Sequence, residues 1–493
     1  MAAELTQMKK FTLNDLQKHS TRDDCWIVVH QKVWDITSFI DEHPGGSAVI
    51  LKYAGKNATS LYDAVHAPDI ITEELPKDKL MGLLEDVSPA DGDIQATPEP
   101  QPVEDNSIVE DDGIPPLSGI LSCKDFEEAA SKALTPKTWA FYSSAATDLV
   151  THRQNKEVVR RIMLRPRILR NVSNVDMKTT MLGNPVSAPF FISPAAMARL
   201  AHPDGELALS RASSNQGIIQ TISSNASFPM RTIMGVAPPE YPFFFQLYVN
   251  SERKKTEEIL KTARGLGIKA ILVTVDAPVP GKREADERAA QEGTVRSAIS
   301  GGESSKDKKG SGFGRLMAQY IDKSLNWDDL AWIRRVSGDM KIVLKGVQTA
   351  DDVKIAAEYG CDAVVLSNHG GRSLDGSQPS ILVLLEVRRR YPHLLEKLEV
   401  YVDGGFERGS DILKALALGA RAVGIGRPYM YSLVYGQEGA EHLTEILKDE
   451  LETSMRLAGL SSLSEITPRL VNTRDVDHLV DTGEDSSIVR SKL

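Results

Sequence analysis

The run KIVLKGVQTADDVKIAAEYGCDAVVLSNHGGRS, residues 341–373, holds the fold in miniature. KIVLKG (341–346) and AVVLSN (363–368) are apolar, β-branched runs of strand length, and TADDVKIAAEYG between them has a helical pattern that closes on a glycine. Strands that are apolar on both faces and alternate with amphipathic helices make a parallel sheet covered by helices. The same grammar runs outward in both directions. FFISPAA (190–196), IIQTIS (218–223), FFFQLYV (243–249) and AILVTVD (270–276) precede this unit, while EVYVDGG (399–405) and AVGIGRP (422–428) follow it. Eight such strands predict an α/β protein whose large domain is a closed (β/α)8 TIM barrel rather than an open doubly wound sheet.

Each run hands over to polar residues at its C-terminal end: Ser223, Gln246 with Tyr248, Thr274 with Asp276, Lys345, Ser367 with His369, Asp403, and Gly426 with Arg427. In a barrel these ends share one rim, where barrel enzymes keep their sites. SNHGGR (367–372) sets a histidine and an arginine three apart at such an end, and TVDAP (274–278) brings a carboxylate. A histidine made more basic by an aspartate is a general base near neutral pH. An arginine fork suits a substrate carboxylate. The glycines and arginine of the last two strands, Gly404, Gly405, Gly426 and Arg427, fit a phosphate-binding corner. Together they describe a 2-hydroxy acid oxidised against a phosphate-bearing cofactor.

The rest of the 493 residues divides around this barrel. Residues 86–113 carry nine acidic residues, four prolines and no Lys or Arg, which predicts a linker that buries too little apolar surface to order. The expected domains are 1–85, then 114–470, then a polar tail over 471–493. A soft stretch at 298–314, with its flank, predicts a mobile loop over 285–314. Apolar residues are 41% of the chain, enough for a large core. Lys and Arg number 58 against 68 Asp and Glu, a net charge of -10 that argues against a nucleic-acid partner. No apolar run of about 18 residues is present, so no membrane span is expected. Three distant cysteines make neither a disulfide framework nor a Cys-type zinc site, and a soluble intracellular protein is expected.

Residues 1–85 hold His43 in DEHPGGSAVI and His66 in LYDAVHAPDI. HPGG followed 23 residues after its histidine by a second histidine, both in apolar surroundings, resembles the cytochrome b5 fold. The resemblance covers about 9–84, includes DDCWIVVHQKVWDITSFI, and implies a small α+β domain with haem b held by His43 and His66. Two axial imidazoles leave no open coordination position, so such a haem carries electrons.

Residues 118–493 resemble the FMN-dependent α-hydroxy acid oxidising family, and the whole chain resembles the flavocytochrome b2 type, in which that barrel follows a haem domain. The motifs are AFYSSAATD, ISPAAM, TISSNAS, QLYVN, TVDAP, GKREAD, LKGV, SNHGGR, DGGFERG and IGRP. The resemblance implies that His369 takes a substrate proton, Asp276 supports it, Arg372 grips the carboxylate and Tyr248 hydrogen-bonds the substrate. Arg283 is implied as a second, swinging arginine, and Lys345 as the charge beside the flavin N1. Ser223, Gln246 and Thr274 then bond the flavin ring, with Ala195 and Ala196 near its N5. Asp403, Gly404, Gly405, Gly426 and Arg427 hold the ribityl chain and phosphate.

Three positions depart from the family pattern. Phe141 stands where a tyrosine hydroxyl is usual, at a cost of about 1.5–3 kcal/mol if a bond to a charged group is lost. Glu407 stands where an arginine meets the phosphate, leaving neighbouring Arg408 to compensate. Asn225 occupies a pocket position usually filled by Trp or Leu, which points to altered specificity.

The resemblance further implies a small 2-hydroxy acid substrate, a one-electron acceptor such as a cytochrome c, and a homotetramer. A tether of 28 residues spans roughly 30 Å, enough to bring a haem domain to a barrel rim. The terminal Ser491-Lys492-Leu493 reads as a signal for a peroxisomal import receptor, with the cytoplasm or the mitochondrial intermembrane space as alternatives. An oxygen-reducing oxidase, a haem carrier with an inactive barrel and a non-oxidising FMN barrel are the rival readings.

Overall fold

A computed structural model of the chain describes residues 8–40, 50–51, 53–59, 62, 70–85, 113–289, 295–304, 312–316, 318–481 and 483. It has two compact units, residues 1–114 with 292–295, and residues 115–291 with 296–493.

In the first unit five strands form one sheet in the order Lys10–Phe11, Leu80–Leu84, Lys32–Asp35, Asp24–Val29, Ser20–Thr21. Alternation along a strand sends neighbours to opposite faces. Val28 accordingly packs with Phe11, Leu16 and Val33, while Val29 joins Cys25, Trp34, Ile36 and Ile40. This second cluster also takes in Ile50, Tyr62 and Ile71, so the residues bracketing the two histidine motifs share one apolar core. His43 and His66 lie outside the described residues, as do the tether 86–112 and the Ser491-Lys492-Leu493 terminus.

All eight predicted strands of the second unit form and close into a parallel barrel. They are β1 (Phe190–Ile192), β2 (Gln220–Ser223), β3 (Phe243–Leu247), β4 (Ala270–Thr274), β5 (Lys341–Val347), β6 (Ala363–Leu366), β7 (Glu399–Asp403) and β8 (Ala422–Ile425). Phe191, Phe244, Leu272, Val343, Val365 and Tyr401, one from each of six strands, fill the interior, so the barrel is a packed core and not a pore. Register levels the polar strand ends. Ser223 pairs with Gln246, Thr274 with Lys345, and Asp403 with Gly424.

Residues 290–294 and 305–311 of the expected mobile loop, 285–314, lie outside the described residues; the flanks that are described are anchored. Asp286, 1% exposed, meets Lys137 Nζ at 2.6 Å, and that ammonium lies over the Phe313 ring. Composition reports the polar middle of a loop and misses two or three residues that pin its flanks. The tail expected from 471 begins later: Val471–Asn472 pairs with Met163–Leu164, and Val476 and Val480 are buried.

Candidate active site

The β4 and β6 ends build the centre. His369 has a left-handed backbone, φ 60°, ahead of two left-handed glycines, Gly370 and Gly371. Such a conformation is strained for a residue with a side chain and is found where structure around it enforces it. Here Ser367 Oγ accepts from the His369 backbone N–H at 3.0 Å, and Gly371 is held so close to His152 that a Cβ there would lie 2.7 Å from its backbone nitrogen. The turn aims the imidazole at β4, where Nδ1 meets Asp276 Oδ1 at 2.9 Å.

The Asp276 side chain has no solvent exposure. Burial pushes its carboxyl up, but the His369 imidazole and then Lys345 outweigh that and hold it below the usual carboxylate range. An ionised acceptor fixes the proton on Nδ1 and leaves the Nε2 lone pair facing the cavity. Tyr248 OH lies 3.4 Å from that Nε2. Burial first, and the Asp276 charge second, push the phenol up, so Tyr248 is a neutral donor.

Lys345 reaches the rim from β5 through a bulge at Gly346, whose φ of 102° and contact with Asp276 admit no Cβ. Its ammonium, 5% exposed, donates to Ser367 Oγ at 3.1 Å and pairs with Asp403 Oδ2 at 3.1 Å. Burial pulls it down, yet Asp403 and then Asp276 outweigh burial and raise it. A fixed positive charge results. Beside it Gln246 Nε2 donates to Thr274 Oγ1 at 2.9 Å, and Ser223 Oγ donates to Gln246 Oε1 at 3.3 Å.

Three guanidiniums line the same cavity, from Arg283, Arg372 and Arg427. Arg372 Nε donates to Ser144 O at 3.2 Å, and its Nη2 donates to the carbonyls of Phe141 and Tyr142. Burial, then Arg427 and Arg283, pull it well down. Buried cations without a carboxylate partner call for an anion. Arg283 lies 5.6 Å above the Phe141 ring, and its Nη1 has no partner among the described residues. Arg427 donates to the carbonyls of Tyr142, Ser144 and Gly370 and to His152 Nδ1.

Of the residues singled out by sequence, Phe141, Ala195, Ala196, Ser223, Asn225, Gln246, Tyr248, Thr274, Arg283, Lys345, His369, Arg372, Asp403, Gly404, Gly405, Gly426 and Arg427 line this one cavity, with Asp276 directly behind His369. Arg408 does not. It turns outward to Glu450 Oε1 at 2.6 Å. Its expected compensation of Glu407 falls instead to Lys156, whose ammonium is 2.5 Å from Glu407 Oε1. Sequence reasoning missed Lys156 and His152, which lie one helical turn apart on Val150–Arg161 and line the cavity together. Nothing in VTHRQNK separates them from an ordinary solvated helix. Tyr142, the neighbour that could offset the missing hydroxyl at Phe141, does not do so, because its own hydroxyl donates to Met197 O at 2.6 Å.

The cavity fits a flavin mononucleotide. Ser193 Oγ and Asp403 Oδ1 are buried on its wall without partners among the described residues, as ribityl hydroxyls would require. Arg427 and the glycine turns after β7 and β8 give a cationic corner open to a phosphate. The family model for FMN-dependent dehydrogenases matches residues 130–473. The chain belongs to the FMN-dependent dehydrogenase family. Residues 12–85 match the cytochrome b5-like heme/steroid binding domain. FMN is thus the cofactor of the barrel and haem b that of the N-terminal domain.

Two similar proteins align with nearly the whole chain. An L-lactate dehydrogenase (cytochrome) from Wickerhamomyces anomalus is 40% identical over 467 residues, spanning 94% of this chain and 79% of the relative. One of the same name from Saccharomyces cerevisiae is 41% identical over 474 residues, 94% of this chain and 80% of its own. A solved structure of a mutant flavocytochrome b2 with pyruvate bound is 41% identical, with a TM-score of 0.67 over 77% of this chain and 93% of that one.

Proposed function

We propose that the chain oxidises an L-2-hydroxy acid of the lactate type to its 2-oxo acid at the barrel rim. Electrons leave through haem b of the N-terminal domain to an outside one-electron acceptor of the cytochrome c kind. The observation that carries the reading is the pairing of His369 with the buried Asp276 carboxylate, facing Tyr248 beside Arg372. FMN held in this cavity would supply the redox chemistry, two-electron acceptance and one-electron release.

The protein's own groups do the rest. Arg372, with Arg283 at hand, holds the substrate carboxylate. His369 Nε2 accepts the proton that leaves the substrate, and Asp276 stabilises the imidazolium so formed. The Lys345 charge, fixed by Asp403, favours negative charge on the neighbouring cofactor ring. Tyr248, kept neutral by burial, donates a hydrogen bond at the reacting oxygen.

Anaerobic stopped-flow mixing of the full chain with L-lactate tests this. Flavin bleaching followed by haem reduction is expected. Bleaching with the haem left oxidised removes the relay, and no bleaching by any L-2-hydroxy acid removes the activity. Formation of hydrogen peroxide in air at the rate of substrate loss would favour the oxidase reading. A homotetramer, tested by light scattering, belongs to the same proposal. So does recognition of Ser491-Lys492-Leu493 by a peroxisomal import receptor, tested by binding of the terminal peptide.

A further inference from the structure

Asn225 follows β2 by two residues and Tyr248 follows β3 by one, and the register Ser223 with Gln246 sets them level on the rim. The Asn225 backbone is fixed on both sides: its N–H donates to Ser223 Oγ at 3.1 Å, and its carbonyl accepts from Met197 N–H at 3.0 Å. The side chain is 6% exposed and lines the cavity.

The amide is oriented by its neighbours. Oδ1 accepts from Ser300 Oγ at 2.6 Å and from Tyr320 OH at 3.1 Å. Ser300 Oγ in turn accepts from the Gly302 N–H at 3.1 Å, which directs its own proton to Asn225. Ser300 is itself placed by Ser300 N–H on Ser224 O and Ala298 N–H on Ala226 O, both at 3.1 Å. With both lone pairs of Oδ1 taken, the Nδ2 amino group has no partner among the described residues. It is left as two N–H donors at a cavity wall.

A lone amide donor in a desolvated pocket favours a ligand that offers it an acceptor and disfavours one that presents a methyl group. The other members of the cluster, Ser224, Ser300 and Tyr320, are neutral hydroxyls, and burial pushes the Tyr320 phenol up, so it stays neutral. A neutral acceptor suits this end better than a second carboxylate. The small side chains of Ala195, Ala196 and Ala318 line the same cavity.

We infer that Asn225 Nδ2 is a polar subsite for the substituent on C2, making the preferred substrate a 2-hydroxy acid with a hydroxyl or carbonyl oxygen on C3. The inference rests on the proposed 2-hydroxy acid oxidation and changes none of its bonds: C2–H and O–H are broken, C2=O is formed, and the electrons go to FMN.

L-glycerate and L-lactate differ only by the C3 hydroxyl, which makes their ratio the test. In the full-length holoenzyme kcat/KM for L-glycerate is expected to exceed that for L-lactate by about 5-fold or more, the worth of one neutral hydrogen bond with its desolvation. Asn225→Leu is expected to bring the ratio to one or below. Equilibrium binding of the products, hydroxypyruvate against pyruvate, should show the same reversal without turnover. Ser300→Ala and Tyr320→Phe, which free the amide to rotate, should each lower the ratio part-way. A wild-type ratio at or below one, or a ratio unmoved by Asn225→Leu and by both cluster variants, overturns the inference while leaving 2-hydroxy acid oxidation standing. Failure of both acids to bleach the flavin overturns that oxidation itself.

Discussion

His369 Nδ1 and Asp276 Oδ1 are 2.9 Å apart across the barrel mouth, although 93 residues separate them in sequence. The pair joins the proposed general base to a carboxylate whose side chain is fully buried. Asp276→Asn keeps the shape and removes the charge that stabilises the imidazolium. Turnover should fall by about 10²- to 10⁴-fold, the usual worth of general base catalysis. Steady-state kcat at matched flavin content measures it; an unchanged kcat would refute the role.

Phe141→Tyr restores a hydroxyl next to the Arg283 guanidinium, on a ring now packed edge-on against Phe313 at 5.5 Å. The kcat/KM for L-lactate should rise by about tenfold or more, mostly through KM, since a bond to a charged carboxylate contributes about 1.5–3 kcal/mol. Initial rates over a lactate series decide it.

Glu407→Gln releases Lys156 from its 2.5 Å pairing beside the phosphate corner. FMN should bind the apoprotein up to about 5-fold more tightly, the upper range for a partly exposed charge pair. Quenching of free FMN fluorescence gives the Kd. A weaker Kd would show that Lys156 needs Glu407 to hold its place.

His152 makes folding pH-dependent. Burial, followed by the charges of Arg427 and Lys156, lowers its imidazole from 6.5 to about 3. Between those values the unfolded chain takes up a proton that the folded one refuses, so stability falls as pH falls below about 6.5. The slope from this group is at most about 1.4 kcal/mol per pH unit. His152→Gln should flatten the loss between pH 6 and pH 4, read as the difference in denaturant midpoints from the wild type.

Much of the site was legible because its chemistry is carried by strand ends. Ser223, Gln246, Thr274, Lys345 and Asp403 follow runs whose apolar character already fixes them as buried strands, and a parallel barrel has one rim for all such ends. The partner of Glu407 is not legible for the opposite reason. Glu407 and Arg408 sit in a turn at the start of a helix, where adjacent side chains diverge, and only packing shows Arg408 leaving toward Glu450.

The sequence by itself determined the barrel, its linked b5-like domain and the chemistry of the rim, because strand periodicity and dense motifs are local properties. The tertiary structure alone decided that Lys156 neutralises Glu407, that Tyr142 is spent on Met197, and that the Asn225 side-chain oxygen is taken up by Ser300 and Tyr320. Each depends on partners from 55 to 251 residues away. A side chain's direction is set by whatever packs against it, and spacing along a chain does not record that.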